Sequence, residues 1–386
     1  MDFNKESLIL HKKLNGKLEI KSKINLNSIE ALSLAYTPGV AEVCREIHKD
    51  NSKIYDYTFK KNSVAVISDG SAVLGLGNIG AKASLPVMEG KAILFKEFAG
   101  IDAIPICLES QDTEKTIQTI RNISPVFGGI NLEDFKAPEC FEIESALQDL
   151  GIPVMHDDQH GTAVVVLAGL INSLKVKSRI SDINKENAKI VMNGCGAAGI
   201  AVTKILLDYG FKNIILIDSK GIVSKHRTDL NKIKQQISEI TNLDNLQGDL
   251  PIALKNADIF IGVSKANLLS PDLVNLMNKN PIIFALANPV PEIMPDIAKQ
   301  AGAFIVATGR SDFPNQVNNV LAFPGIFKGA LDIKAKKITN AMKISAAKAL
   351  AQVIENPTPD KIIPNPLDKS VVLAVSNAVK EAYSED

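Results

Sequence analysis

Short apolar runs alternate with longer helical patterns through most of the chain, and that rhythm predicts its elements. Val64-Ala65-Val66-Ile67, a helix over about 80 to 97, and Ala103-Ile104-Pro105-Ile106-Cys107 open a first series, which Val126-Phe127-Gly128-Gly129-Ile130 and Ile152-Pro153-Val154-Met155 extend as buried strands. A second series starts at Ala188-Lys189-Ile190-Val191-Met192 and continues through Ile214-Ile215-Leu216-Ile217, Ile259-Phe260-Ile261 and Ile282-Ile283-Phe284-Ala285 to Phe304-Ile305-Val306. Strands separated by helical patterns mark parallel βα units, so the fold class is α/β. Between the series, His160 to Lys175 is rich in Ala, Val and Leu with polar residues only at its ends, which predicts a buried connecting helix. After about 320 come helical patterns at 340–354 and 369–382, separated by Asn356-Pro357-Thr358-Pro359, with no strand series. We expect this last part to pack back on the first.

At 386 residues the chain is too long for one ordinary core. Lys plus Arg and Asp plus Glu both count 43, so no global basic field exists to attract nucleic acid or anionic lipid, and small-molecule partners are expected. The start, Met1-Asp2-Phe3-Asn4-Lys5-Glu6, lacks a signal pattern. No apolar run approaches the roughly 20 residues needed to span a bilayer, so a cytoplasmic location is expected. Cys44, Cys107, Cys140 and Cys195 show neither paired metal-ligand spacing nor disulfide density, and read as reduced thiols.

The first strand of the second series leads into a glycine-rich turn, Gly194-Cys195-Gly196-Ala197-Ala198-Gly199, which opens a helix from Ile200 to Asp208. Asp218 ends the next strand, where the dinucleotide fingerprint places its acid. Gly194 and Gly196 allow a tight turn and close approach to pyrophosphate at the helix amino terminus, and Asp218 would accept from the adenosine ribose. Lys220, Lys225 and Arg227 just beyond it could instead bind a 2′-phosphate, so NAD and NADP both stay open, with NAD modestly favoured. Cys195 reads as a small filler.

Just upstream lie two acidic pairs, Glu133-Asp134 and Asp157-Asp158, each ending a run that reads as a buried strand. Four acids there are costly without a cation. A hard ion such as Mg²⁺ or Mn²⁺ takes oxygen ligands and keeps positions open for substrate, and three carboxylates plus a chelating substrate would fill that shell. Each pair taken alone is also what a helix cap or a solvated loop would show. His156 and His160 are left as structural, because the expected ligand set is all oxygen.

Tyr36-Thr37-Pro38-Gly39-Val40-Ala41, Pro86-Val87-Met88-Glu89-Gly90-Lys91, Glu133-Asp134-Phe135, Asp157-Asp158-Gln159-His160-Gly161-Thr162, Ala287-Asn288-Pro289, Thr308-Gly309-Arg310-Ser311-Asp312 and the stretch Asn315 to Gly325 together resemble malic enzyme in its short, bacterial-type form. The resemblance implies oxidative decarboxylation of L-malate to pyruvate and carbon dioxide with NAD or NADP and Mg²⁺ or Mn²⁺, and oxaloacetate decarboxylation besides. It makes Glu133, Asp134 and Asp158 the metal ligands. Asp157 and Lys91 become the pair that manages the substrate hydroxyl proton, and Tyr36 the general acid; Tyr36 and Lys91 also touch substrate. Asn288 and Asn319 hold the substrate carboxylate near the nicotinamide, while Thr162, Gly194, Gly196, Ala197, Ala198, Gly199, Asp218 and Asn288 contact the cofactor. The division that follows is 1–156 for substrate and metal, 157–319 for a Rossmann-type doubly wound NAD(P) domain, and 320–386 for helices packing on the first domain. Desolvation among Ala92, Ile93, Leu94 and Phe95 is expected to lower the pKa of Lys91.

Departures from the family pattern stand beside the matches. Larger relatives carry an arginine in the segment where this chain has Ala72, so a carboxylate clamp is missing there and Arg310 is a candidate replacement. Ala81-Lys82 and Cys195 also differ from what short-form relatives commonly read. Two other functions fit parts of the pattern: an amino-acid dehydrogenase, which needs no cation, and a non-catalytic NAD sensor whose acidic pairs only cap helices. The amino-terminal stretch through Ile47 is polar and strand-poor and resembles arms that pack on a partner, so a homodimer is expected. Whether Tyr36 serves its own or the partner's site stays open.

Overall fold

A computed structural model describes residues 2–384. Four strands form the first sheet: β1 (Ser63–Ser68), β2 (Asp102–Cys107), β3 (Gly129–Leu132) and β4 (Val154–His156), in the order β2-β1-β3-β4. All its pairings are parallel, with Val64 beside Ala103 and Gly129, and Leu132 beside His156. The second sheet uses β5 (Lys189–Asn193), β6 (Asn213–Asp218), β7 (Gly221–Ile222), β8 (Ile259–Gly262), β9 (Ile282–Ala285) and β10 (Ile305–Thr308). Its order is β10-β9-β8-β5-β6-β7, parallel except for the short β7. Strands β1, β3, β8 and β9 are buried at every position, which is why they read as unbroken apolar runs: helices cover both faces of a parallel sheet.

The connecting helix runs from Asp157 to Lys177, and most of its side chains are buried. It begins on the residue after β4, so its first turn carries the second acidic pair while its body fills the junction between the sheets. Gly169 lets the ring of Phe284 come close, and the Asn172 amide donates to the carbonyls of Ala351 and Ile362, both at 2.9 Å. One apolar core therefore runs from Val64 and Phe95 through Val165 to Ile190 and Phe327. The outer faces of the two sheets have smaller cores of their own.

Helices appear near the expected places at Gly80–Ala99, Ala197–Tyr209, Asn340–Gln352 and Ser370–Glu381. The strand expected over Val126–Ile130 lies slightly later, because Ser124–Val126 is a 3₁₀ turn containing Pro125, whose missing N–H cannot join a ladder. A further helix, Phe323–Asp332, lies where the pattern showed only a motif. Pro324 sits in its first turn, where the absent N–H costs nothing. A methyl on Gly325 would stand 2.7 Å from Cβ of Val375, so that glycine lets the Ser370–Glu381 helix pack against it. Phe323 and Phe327 in turn pack on Phe95 of the first sheet's long helix, the first tilted and the second edge-on, at 4.7 and 5.4 Å between ring centres. The Asn340–Gln352 helix packs instead on the connecting helix.

Candidate active site

The two acidic pairs meet because β3 and β4 are hydrogen-bonded neighbours running in the same direction. With Leu132 level with His156, the next two residues of each strand emerge side by side at the carboxyl edge of the sheet. Asp134 adopts a left-handed backbone (φ 57°), an uncommon conformation for a residue with a side chain, and one that turns the chain sharply after the strand. Two contacts hold it: its N–H donates to Asp158 Oδ2 at 2.8 Å, and its carbonyl accepts from Ala72 N–H at 2.9 Å. The outcome is that carboxylate oxygens of Glu133, Asp134 and Asp158 all lie within 4.8 Å of one another. Oδ2 of Asp134 is buried with no partner among the described residues. Three convergent carboxylates and an orphaned oxygen fit a hard divalent cation.

Lys91 reaches this cluster from the Gly80–Ala99 helix and is 7 % exposed. Its ammonium donates to Asp157 Oδ2 at 2.6 Å, lies 2.8 Å from Glu133 Oε1, and rests over the ring of Phe323 at 4.3 Å. Burial pulls the pKa of Lys91 down, but the charges of Asp157, Glu133 and Asp158 outweigh it and hold the amine above its ordinary value. The expected lowering of Lys91 is therefore corrected: its helix neighbours are apolar, but its partners arrive from β3 and β4. Burial, reinforced by mutual repulsion, raises the carboxyls of Glu133, Asp134, Asp157 and Asp158. Behind the cluster, Asn131 donates to Glu133 Oε2 at 2.8 Å, and His156 Nε2 lies 3.3 Å from Asp158 Oδ2.

A cleft of about 520 Å³ opens from Asp134 and Asp158 toward the second sheet, lined further by Thr162, Gly196, Ala197, Ala198, Asn288 and Asn319. It lies over β5 and β8, the point where the strand order reverses and where open α/β sheets bind ligands. Gly194 (φ 121°) makes the turn out of β5 against Val263. Gly199 has no room for a methyl group, which would collide with the Gly194 carbonyl, so the turn and the helix close on each other. Gly196 faces open space, which leaves the backbone accessible to a phosphate at the start of the Ala197–Tyr209 helix.

Not every expected residue joins this cleft. Asp218 is already engaged: Arg227 donates at 2.7 and 3.3 Å, Lys234 at 2.5 Å and the N–H of Lys220 at 2.9 Å. Those four donors use the acceptor capacity of a carboxylate, so a ribose hydroxyl must displace one of them. Arg310 is paired with Asp312 at 2.6 Å and donates to the Pro289 carbonyl at 3.2 Å, and it does not line the cleft. Ala72 does line it. Tyr36 caps a short helix, is 67 % exposed, and lies outside the cleft of its own chain. Cys195 is half-buried, and burial pushes its thiol up to about 12, so the filler reading suits it better than a reactive one. Phe323 beneath Lys91 and Gly161 beside Asp157 belong to the site and were not singled out by pattern. Both stood inside recognised motifs, but only packing shows what they do.

Comparisons with known proteins agree along the whole chain. Residues 15–148 match the family model for the malic enzyme N-terminal domain, and residues 159–383 the malic enzyme NAD binding domain. A bifunctional malic/malolactic enzyme of Bacillus subtilis is 53% identical, covering 100% of this chain and 94% of its own. An NADP-dependent malic enzyme of Halomonas elongata is 45% identical over 96% of this chain and 91% of its own. The crystal structure of an NAD-dependent malic enzyme from Thermotoga maritima superposes with a TM-score of 0.95 at 53% identity, covering 98% of this chain and 99% of that one. The ordered motifs, the two sheets and these matches lead to one assignment: the chain belongs to the malic enzyme family.

Proposed function

We propose that this malic enzyme converts L-malate to pyruvate and carbon dioxide, passing a hydride to NAD or NADP, in the cleft between the acidic cluster and the glycine turn. The observation that carries the reading is the convergence of Glu133, Asp134 and Asp158 beside a buried Lys91–Asp157 pair, at the mouth of a dinucleotide turn. Glu133, Asp134 and Asp158 would hold the divalent cation. When bound, that ion supplies positive charge that polarises the C2 oxygen and offsets the carboxylates now keeping Lys91 protonated. Asp157 and Lys91, 2.6 Å apart, receive the C2 hydroxyl proton. Asn288 and Asn319 orient the substrate carboxylate against the cofactor site. Tyr36 then returns a proton to C3.

Assay of the purified protein with malate, each nicotinamide cofactor, and Mg²⁺ or Mn²⁺ tests this. Pyruvate should appear in step with reduced cofactor and stop when the metal is chelated. Undiminished turnover by metal-free protein would remove the assigned ligand set, and ammonia dependence would favour the amino-acid dehydrogenase.

The reading extends to a homodimer built on the amino-terminal arm. Residues 3–49 form helices and turns without a strand, and expose Phe3, Leu8, Ile9, Ile20, Ile29 and Leu34 to solvent. So much unburied apolar surface suits a partner subunit. Tyr36 sits on that same arm, so it would serve the partner's cleft. A monomer with full activity in light scattering would argue against both statements.

A further inference from the structure

The helix that carries Asp157 and Asp158 has a second cavity on its other side. Asp158 and Thr162, one turn apart, face the cleft, whereas Gln159 and His160 face a space of about 510 Å³ that shares no lining residue with the cleft. Its walls are mixed: Phe141, Met155 and Ile205 are apolar, and Lys204 and Lys343 are cationic.

The acids of this cavity are taken. Glu144 accepts from the backbone N–H of His156 at 2.8 Å, from Gln159 at 3.2 Å, and pairs with His160 Nε2 at 3.0 Å. Asp208 accepts from the Asn340 amide at 3.1 Å. The bases are not. Since Nε2 of His160 donates to Glu144, its Nδ1 accepts from Lys343 at 3.1 Å, which uses one of the three donors of that ammonium. Lys343 is nonetheless only 8 % exposed, and burial holds its pKa below the ordinary lysine value. Lys204 makes no ion pair among the described residues. Lys343 also lies in the first turn of the Asn340–Gln352 helix, where the backbone dipole adds to the positive field.

Glu144 and Asp208 keep their charges but engage neighbours of their own, so the unspent donors of Lys343 and the ammonium of Lys204 are the charged groups left to meet a ligand. We infer that this cavity is a second ligand site, which takes a small organic anion, with a carboxylate or phosphate group on Lys343 and Lys204 and its carbon skeleton against Met155 and Ile205. A ligand there would touch His160 and Gln159, one residue from Asp158, and so press on the helix that positions the reaction.

Calorimetric titration of the full chain, saturated with NAD to block the dinucleotide turn, tests the site with two probes. Inorganic phosphate and succinate stand for the two anion types, and whichever binds identifies the favoured head group. One equivalent should bind, and affinity should fall about tenfold or more in Lys343→Met and in Lys204→Met while staying unchanged in Asn319→Ala. Lys204 is exposed, so its variant folds and decides the matter even if Lys343→Met does not. Absence of binding by both probes up to about 50 mM, unchanged affinity in Lys204→Met, or loss confined to Asn319→Ala would overturn the inference.

Discussion

Gly161 stands one helical turn beyond Asp157, and the space left by its missing side chain is filled by the Asp157 carboxylate. A methyl group built on Gly161 would overlap Oδ1 of Asp157 and would come within 3.2 Å of Cβ of Asn319. Alanine at this position would otherwise favour the helix by about 1 kcal/mol. We therefore expect Gly161→Ala to fold and to lose about 10- to 100-fold in kcat, because Asp157 must turn away from Lys91. Steady-state kinetics with malate, alongside a melting curve, checks this; wild-type kcat in the variant would show that the Asp157 geometry is not needed.

Tyr36 supplies a test of assembly. If its hydroxyl works in the partner's cleft, inactive Tyr36→Phe and inactive Lys91→Met chains should rescue each other when mixed and reassociated. Each mixed dimer then has one site with both groups intact, and random pairing restores about a quarter of wild-type activity. No recovery on mixing would place both residues in one chain.

The acidic cluster sets the pH response of the metal-free protein. Burial and repulsion raise these carboxyls, Asp157 to about 7, so the folded state retains protons that the unfolded chain releases near pH 4. Where the native state binds more protons than the unfolded one, stability declines as pH rises, here from about pH 4 through about 7. A divalent cation competes with those protons, so its stabilising effect should grow over the same range. At a hundredfold excess over Kd it reaches about 2.7 kcal/mol. Melting curves with and without Mn²⁺ at pH 5.5 and pH 8 should show the larger gain at about pH 8, and a larger gain at the acidic value would contradict the assigned ligands.

Asp218, Arg227 and Lys234 govern the choice between cofactors. A 2′-phosphate could draw Lys234 and Arg227 away from Asp218, whereas a ribose hydroxyl needs an Asp218 lone pair that Lys234 now uses. Lys234→Ala should raise the KM for NADP by about 5- to 30-fold and leave that for NAD unchanged or lower. Parallel assays with the two cofactors read the ratio directly.

Much of this architecture was legible in the sequence because parallel strands buried on both faces write themselves as apolar runs, and the dinucleotide turn keeps strand, glycines, helix and acid in fixed order. The three acids of Glu133, Asp134 and Asp158 could be named from their motifs, yet their convergence depends on β3 lying next to β4, a pairing no local pattern encodes. The charge state of Lys91 was misjudged for the same reason, since its helix neighbours are apolar and its partners lie 42 and 66 positions further along. Likewise Gly325 and Gly329 of Phe323–Asp332 have a reason only in packing, since the Ser370–Glu381 helix occupies the space they leave. Arg310 was read as a candidate carboxylate anchor and Asp218, from its place in the fingerprint, as a ribose acceptor, but no local pattern shows that Asp312 pairs with the first and Arg227 and Lys234 with the second.

The Asp157–Lys177 helix joins two duties in one rod: its tip bears the reacting acids and its shaft is the beam on which both halves of the molecule rest. Reactivity and foldedness are thereby tied to a common event. Heating should abolish turnover and cooperative structure at one temperature, with no window in which the scaffold survives but the chemistry has already failed.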